Sequence, residues 1–320
     1  MRVLALLLAF AAAAPSQAQV ASPHAIEIPG WFTETLLDLR EDVREAAAQR
    51  KRVMLYFGQD GCPYCAALLK TNFSQRAIVE KTRRDFTAIA LNLWGEREVS
   101  WTNGRALREK DLARALRVQY TPTLLFLDEK GEVVLRLNGY YPPHRFEVAL
   151  DYASGRGGKG MRFDQYMKTA ARESASPALH GQPFLRKPPV ELRGTKPVAL
   201  LFETPYCAGC DELHREGFRR PEVLKLIERF DVYRLTLEDR RTAASTWAAE
   251  LRVAYTPTIA FFDGGREVFR IEAYVRPFHL AGALEYVASG AYHKETSFQR
   301  FLQARAERLR GKGAPVDLWN

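Results

Sequence analysis

Leu116-Arg117-Val118-Gln119-Tyr120-Thr121-Pro122-Thr123 returns, with one substitution, as Leu251-Arg252-Val253-Ala254-Tyr255-Thr256-Pro257-Thr258. A match at seven of eight positions between two halves of one chain is the mark of an internal repeat. Each run leads into an apolar stretch of strand length closed by an aspartate, Leu124 to Asp128 and Ile259 to Asp263. Second apolar runs follow, containing Arg136 and Arg270. The linking residues, Glu129-Lys130-Gly131 and Gly264-Gly265, predict an antiparallel hairpin at the same place in each copy. Further on, Tyr140 answers to Tyr274, Pro143 to Pro277, and Ala153-Ser154-Gly155 to Ala288-Ser289-Gly290. The closing helices also correspond, Phe163 and Tyr166 to Phe298 and Phe301, at a helical spacing that predicts core packing.

Upstream, Val53 to Phe57 and Val198 to Phe202 are apolar runs of strand length. Each stops five residues before a Cys-x-x-Cys: Cys62-Pro63-Tyr64-Cys65 and Cys207-Ala208-Gly209-Cys210. Between cysteines and Thr-Pro the first copy holds 55 residues and the second 45. The surplus lies near Trp94 to Arg105, where Asn103-Gly104 predicts a turn. The order in each copy is strand, Cys-x-x-Cys, helix, strand, helix, strand, strand, helix. A helix over Phe32 to Ala48 is expected before the first. Strands alternating with helices imply parallel pairing. The expected fold class is therefore α/β, each half a central mixed β-sheet flanked by helices. The Pro-, Ser- and Gly-rich residues 174–195 are expected to link domains over 26–173 and 196–311.

The cysteine spacing bounds the chemistry. These four are the only cysteines. A disulfide over three residues closes too small a loop to restrain the unfolded chain, so it is a poor staple and suits a bond that is made and broken. Following a strand and opening a helix, Cys62 and Cys207 stand where unpaired backbone N–H groups favour a thiolate, the form that attacks a disulfide. Cys65 and Cys210, one turn on, would resolve the mixed disulfide. Pro63 suits a first helical turn because its missing N–H would have had no partner there. A shared zinc site is disfavoured by the long separation of the two pairs, although Cys210 and His214 fall at i, i+4. His144, His214 and His279 read as surface or packing residues.

The N-terminus predicts export. Met1-Arg2 is a short basic start, Val3 to Ala14 an apolar run, and Ser16-Gln17-Ala18 a cleavage signal, which gives a signal peptide over residues 1–18. Twelve apolar residues fall short of the roughly 20 that a spanning helix needs. The net charge of +9 comes from scattered basic residues beside acids. That pattern argues against nucleic-acid binding, which wants a basic stripe with interleaved aromatics. No phosphate loop, catalytic triad or cofactor fingerprint is present, so no cofactor and no metal are expected.

The combination resembles the thioredoxin superfamily, as two tandem thioredoxin-like folds. Gly58-Gln59-Asp60-Gly61-Cys62-Pro63-Tyr64-Cys65, Tyr120-Thr121-Pro122-Thr123 and Asn138-Gly139-Tyr140 make the first half similar to periplasmic SoxW-type thioredoxins and to the C-terminal thiol domain of DsbD. The resemblance implies a periplasmic thiol–disulfide oxidoreductase with protein disulfides as substrates. Its electrons would come from a membrane thiol transporter of the DsbD type, and a monomer is expected. It also implies cis bonds before Pro122 and Pro257, with Thr121 and Thr256 lending backbone to a substrate chain. Tyr140 and Tyr274 follow the last strand, a place that suits either flanking the substrate groove or packing. The chain departs from the family at two places. Gly61 and Tyr206 precede the cysteines where thioredoxins carry tryptophan. Tyr56 and Leu201 stand six residues before them, in place of a buried aspartate. Proton transfer during exchange must then use another group; Asp60 and Glu203 are the nearby candidates, although each reads first as a solvated loop acid. The inner Pro-Tyr pair also occurs in glutaredoxins, without any glutathione-binding pattern here. A disulfide oxidase or isomerase, and a non-catalytic binding or chaperone module, are the alternatives. The oxidase DsbA is disfavoured, because Pro122 follows Cys62 by 60 positions and Pro257 follows Cys207 by 50, too few for an inserted helical domain.

Overall fold

The computed structural model describes residues 26–171, 175–237, 242–314 and 316. The expected signal peptide lies outside them. The first half runs α1 (Leu39–Ala48), β1 (Arg52–Gly58), α2 (Pro63–Ala67), α3 (Arg76–Asp85), β2 (Phe86–Asn92), β3 (Glu98–Ser100), β4 (Ala106–Arg108), α4 (Glu109–Ala115), β5 (Thr123–Leu127), β6 (Val133–Asn138), α5 (Pro143–Ala153) and α6 (Phe163–Ala170). The second runs β7 (Leu185–Arg186), β8 (Val198–Glu203), α7 (Ala208–Glu212), α8 (Pro221–Ile227), β9 (Asp231–Thr236), α9 (Ala243–Glu250), β10 (Thr258–Asp263), β11 (Arg266–Glu272), α10 (Pro277–Ala288) and α11 (Phe298–Gly311). Both α2 and α7 continue through one turn of π-helix, Leu68–Asn72 and Leu213–Gly217.

Each half is built on a mixed sheet with helices on its faces, as the alternation of elements predicts. The first sheet is ordered β2-β1-β5-β6 and the second β11-β10-β8-β9-β7. In the first, β1 pairs parallel with β2 and antiparallel with β5, and β5 pairs antiparallel with β6. The second repeats this with β8, β9, β10 and β11. The central strands β1 and β8 are buried on both faces, which accounts for their unbroken apolar runs.

The repeated octapeptide has one structural job in both halves. Arg117 and Arg252 take left-handed φ values of 52° just past α4 and α9. The next amide, of Val118 or Val253, then donates 2.8 Å to Ala113 O or Ala248 O and closes the helix end. Arg136 of β6 donates to the carbonyls of Leu116 and Arg117, and Arg270 of β11 to that of Leu251, so each hairpin is tied to the same cap. The second threonine of each Thr-Pro-Thr donates its hydroxyl to the tyrosine carbonyl three residues back, Thr123 to Tyr120 at 2.8 Å and Thr258 to Tyr255 at 2.9 Å.

Three elements differ from the sequence expectation. The first helix begins at Leu39, capped by the Asp38 carboxylate, and not at Phe32. Phe32 instead packs edge-on against Tyr56 and Phe73. The ten surplus residues form the β3–β4 hairpin around the expected Asn103-Gly104 turn, where Gly104 has φ +84°. The linker is no free tether. Within it β7 pairs parallel with β9, the Ser176 amide donates to Asp211, and His180 pairs with Asp211 at 2.7 Å.

The two domains dock by exchanging equivalent tyrosines. Tyr120 lies in the hydrophobic core of the second domain, against Phe269 and Phe298. Tyr255 lies in the core of the first, against Phe163. The Tyr120 hydroxyl donates to Arg270 O, and the Tyr255 hydroxyl to Arg136 O. Between these two insertions Asn138 Nδ2 donates 2.8 Å to Glu272 Oε2, two residues at matching positions of β6 and β11. Such reciprocity is an isologous interface within one chain, two like surfaces related by an approximate twofold axis. The first residues of α11 extend the contact, with Gln299 bonded to both Gln59 and Gln119 O. Truncating a buried aromatic costs about 3–5 kcal/mol. Tyr255→Ala is therefore expected to destabilise the first domain, in which its ring is buried, and to split a single urea transition into two. Equilibrium unfolding followed by tryptophan fluorescence checks this, and one unsplit transition at the wild-type midpoint would refute the docking.

Candidate redox site

Both cysteine pairs stand at the same junction of strand and helix. In the first, β1 delivers the chain to Gly61, whose φ of +71° turns it into α2. Cys62 is the N-cap, and its Sγ accepts the Cys65 amide at 3.1 Å. In the second, Cys207 caps α7 and its Sγ accepts the Cys210 amide at 3.1 Å. The residue before it, Tyr206, has φ +56° and is 61% exposed. Glycine adopts that backbone freely and tyrosine does not, so the second loop holds local strain that the first avoids. This left-handed requirement is what Gly61 and Tyr206 share. Cys62 is joined to Cys65 and Cys207 to Cys210 by disulfides. The first member of each pair is the more open, yet Cys62 is only 5% and Cys207 only 6% exposed.

The Thr-Pro loops lie beside the cysteines as expected, and both bonds are cis. Thr121 O is 3.3 Å from Cys62 Sγ. A Cβ on Gly209 would stand 3.1 Å from Pro257 Cδ, so the smallest residue in the second motif is where the helix meets the proline loop. Tyr140 and Tyr274 both line the cavity at the domain interface, beside Thr121 and Thr256. Burial pushes the Tyr274 hydroxyl up to about 12, and it is a neutral wall residue.

The two acids near the motifs are unlike each other. Asp60 accepts the Ile26 amide in an exposed loop, as expected of a solvated residue. Glu203 is not solvated. It ends β8, is 1% exposed, and accepts from His214 Nε2 at 2.7 Å and Arg234 Nε at 3.0 Å. Sequence reading missed this because Arg234, on β9, and Glu203 meet only across paired strands. Of the two readings expected for His214, surface or packing, it is the packing one, buried edge-on against Phe218. Its second ring nitrogen takes Gln182 of the linker at 3.2 Å, which leaves neither nitrogen for a metal shared with Cys210. Below the first motif, Tyr56 is buried against Phe32, and desolvation holds its phenol far above the ordinary range.

A model of the thioredoxin-like domain matches residues 39–154 and again residues 190–288. The chain belongs to the thioredoxin-like family. No curated protein sequence matches it. Among solved structures it is similar to a thioredoxin from Thermus thermophilus, at 26% identity over 38% of this chain and 89% of that one, with a TM-score of 0.32. A thioredoxin-fold protein from Helicobacter pylori shares 24% identity over 38% of this chain and 81% of its own, with a TM-score of 0.31. The oxidised C-terminal domain of DsbD from Neisseria meningitidis shares 16% over 40% of this chain and 99% of its own, with a TM-score of 0.29.

Two measurements test the thioredoxin-like site. Removing one partner of a buried ion pair leaves the other charge uncompensated, at a cost of about 3–5 kcal/mol. Glu203→Leu is expected to lower the unfolding free energy from urea titration by that much, and a change below about 1 kcal/mol would deny the network its role. His279, at the start of α10, contacts the Tyr64 hydroxyl through Nδ1 at 3.3 Å. Burial first, then the Arg305 charge, lowers its pKa from 6.5 to about 4. The unfolded chain therefore binds a proton here at pH values where the folded one does not, so this residue's contribution is complete above about pH 6.5 and is lost as the pH falls to about 4. Denaturation midpoints across that window should slope less for His279→Phe than for wild type.

Proposed function

We propose that this chain is an exported, periplasmic thiol–disulfide oxidoreductase that reduces protein disulfides through its two Cys-x-x-Cys sites. The observation that carries the reading is the capping geometry. In each domain the first sulfur accepts the backbone amide of the second cysteine at 3.1 Å, on a helix N-terminus and beside a Thr-Pro loop. Those contacts stabilise negative charge on Cys62 or Cys207 once the pair is reduced. The thiolate attacks one sulfur of the substrate disulfide, forms a mixed disulfide and expels the other substrate sulfur as a thiolate. Cys65 or Cys210 then attacks its neighbour's sulfur, releases the second substrate thiol and leaves the enzyme disulfide present in this structure. Thr121 and Thr256 carry the backbone that holds the substrate chain. The low exposure of both attacking sulfurs favours extended or unfolded segments over the surface of a compact protein.

Reduction as the working direction rests on the resemblance of the first half to periplasmic reductants. A membrane thiol transporter of the DsbD type would recharge the pairs, and the signal-like N-terminus supports export. In an insulin-reduction assay wild type is expected to turn over, and Cys62→Ser combined with Cys207→Ser to abolish turnover. Absence of turnover in wild type with its thiols intact would overturn the reading. Redox potentials near about −270 mV mark a reductant, and values of about −120 to −180 mV an oxidase or isomerase.

A further inference from the structure

The approximate twofold relation has a consequence for the sulfurs. A contact made by one active-site helix is matched by the other. Tyr64, inside the first motif, meets His279 of α10. Glu212, in the helix opened by the second motif, meets Arg145 of α5 at 3.9 Å. Pro143 and Pro277 open those two helices, so Arg145 and His279 are equivalent positions. Each active-site helix therefore packs against the other domain. A cavity lies between the two domains. Its wall includes Tyr64 and Thr121 from the first domain with Cys207, Gly209 and Thr256 from the second. Cys207 lines it directly, and Cys62 stands behind Thr121, whose carbonyl it touches.

We propose that the two pairs exchange electrons with each other across this cavity, so that the chain is an intramolecular dithiol–disulfide relay. The inference rests on the oxidoreductase reading and adds the second domain as a reaction partner of the first. With the first pair reduced and the second oxidised, the Cys62 thiolate attacks Cys207 Sγ. The Cys62–Cys207 bond forms, the Cys207–Cys210 bond breaks, and Cys210 leaves as a thiolate that takes up a proton. Cys65, losing its proton, then attacks Cys62 Sγ, re-forms the Cys62–Cys65 disulfide and frees Cys207. Two electrons and one proton have passed from the first pair to the second, Cys207 being freed as a thiolate, with no outside reactant, and the reverse runs by the same steps. The net direction follows the two potentials. Docking supplies the high effective concentration that makes such an exchange favoured over one between molecules.

The test removes both resolving thiols. Full-length Cys65→Ser/Cys210→Ser, equilibrated in a reduced and oxidised glutathione buffer, is expected to form a Cys62–Cys207 disulfide within the monomer, seen as one cross-linked peptide pair by mass spectrometry. Glutathione adducts alone, or cross-linked dimers alone, would overturn the relay. A measurement on wild type guards against misfolding of the variant. After one equivalent of a phosphine reductant, the thiols are followed by acid quench and alkylation. Redistribution between the pairs is expected to be first order and independent of protein concentration. No redistribution, or a rate that scales with concentration, would also overturn the proposal. Insulin reduction by the same wild-type preparation separates the two claims. Turnover without exchange sinks the relay alone, and absence of both sinks the oxidoreductase reading with it.

Discussion

The reciprocal insertion of Tyr120 and Tyr255 is the interaction on which the rest of this molecule depends. Each tyrosine is held by its own Thr-Pro loop and buried in the opposite domain. Each hydroxyl has a backbone carbonyl waiting for it at the neighbouring β-hairpin. Burying a large ring is strongly favourable, and burying its hydroxyl is tolerable only where a partner is present. The insertion thus holds the two domains against each other. It also fixes the cysteines, since the residue after each tyrosine carries the backbone that faces a redox pair.

The docked geometry reconciles two features that would otherwise conflict. A thiol that attacks other proteins wants access, yet Cys62 and Cys207 are nearly enclosed. Cys207 lines the cavity at the domain interface, whereas Cys62 is covered by the Thr121 carbonyl and the core of its own domain. The two sites are nonetheless different. The first has glycine where the loop needs a left-handed residue and Pro-Tyr between its cysteines. The second spends strain at Tyr206, carries Ala-Gly inside the motif, and rests near a buried Glu203–His214–Arg234 network, where the first has Gly58 in place of Glu203. Different surroundings of the thiolate imply different redox potentials, which a relay requires if electrons are to run one way.

Much of this was legible in the amino-acid order. The period between the two octapeptides, the apolar runs of β1 and β8, the hairpin turns and the position of both cysteine pairs are local patterns, set by alternation, turn chemistry and spacing along one stretch of chain. Thr121-Pro122 and Thr256-Pro257 were found by the same means. The β3–β4 hairpin was visible only as a turn, because its strands are three residues each, too short to show a period. The early end assigned to α1 failed because Phe32 looks like a helix residue but is drawn off to cover Tyr56.

The sequence by itself determined that there are two thioredoxin-like domains, where each redox pair falls, and which cysteine opens the helix. Only the tertiary structure decided that Tyr120 and Tyr255 cross between domains, that Glu203 and His214 are buried partners, that the linker joins the second sheet, and that both motifs face one cavity. The physical reason is range. Strands, turns and caps are set by residues within a few positions of one another. A buried carboxylate or an exchanged tyrosine is stable only because of a partner brought to it by folding, Arg234 in the one case and the other domain in the other, and no local pattern in the chain announces which partner that will be.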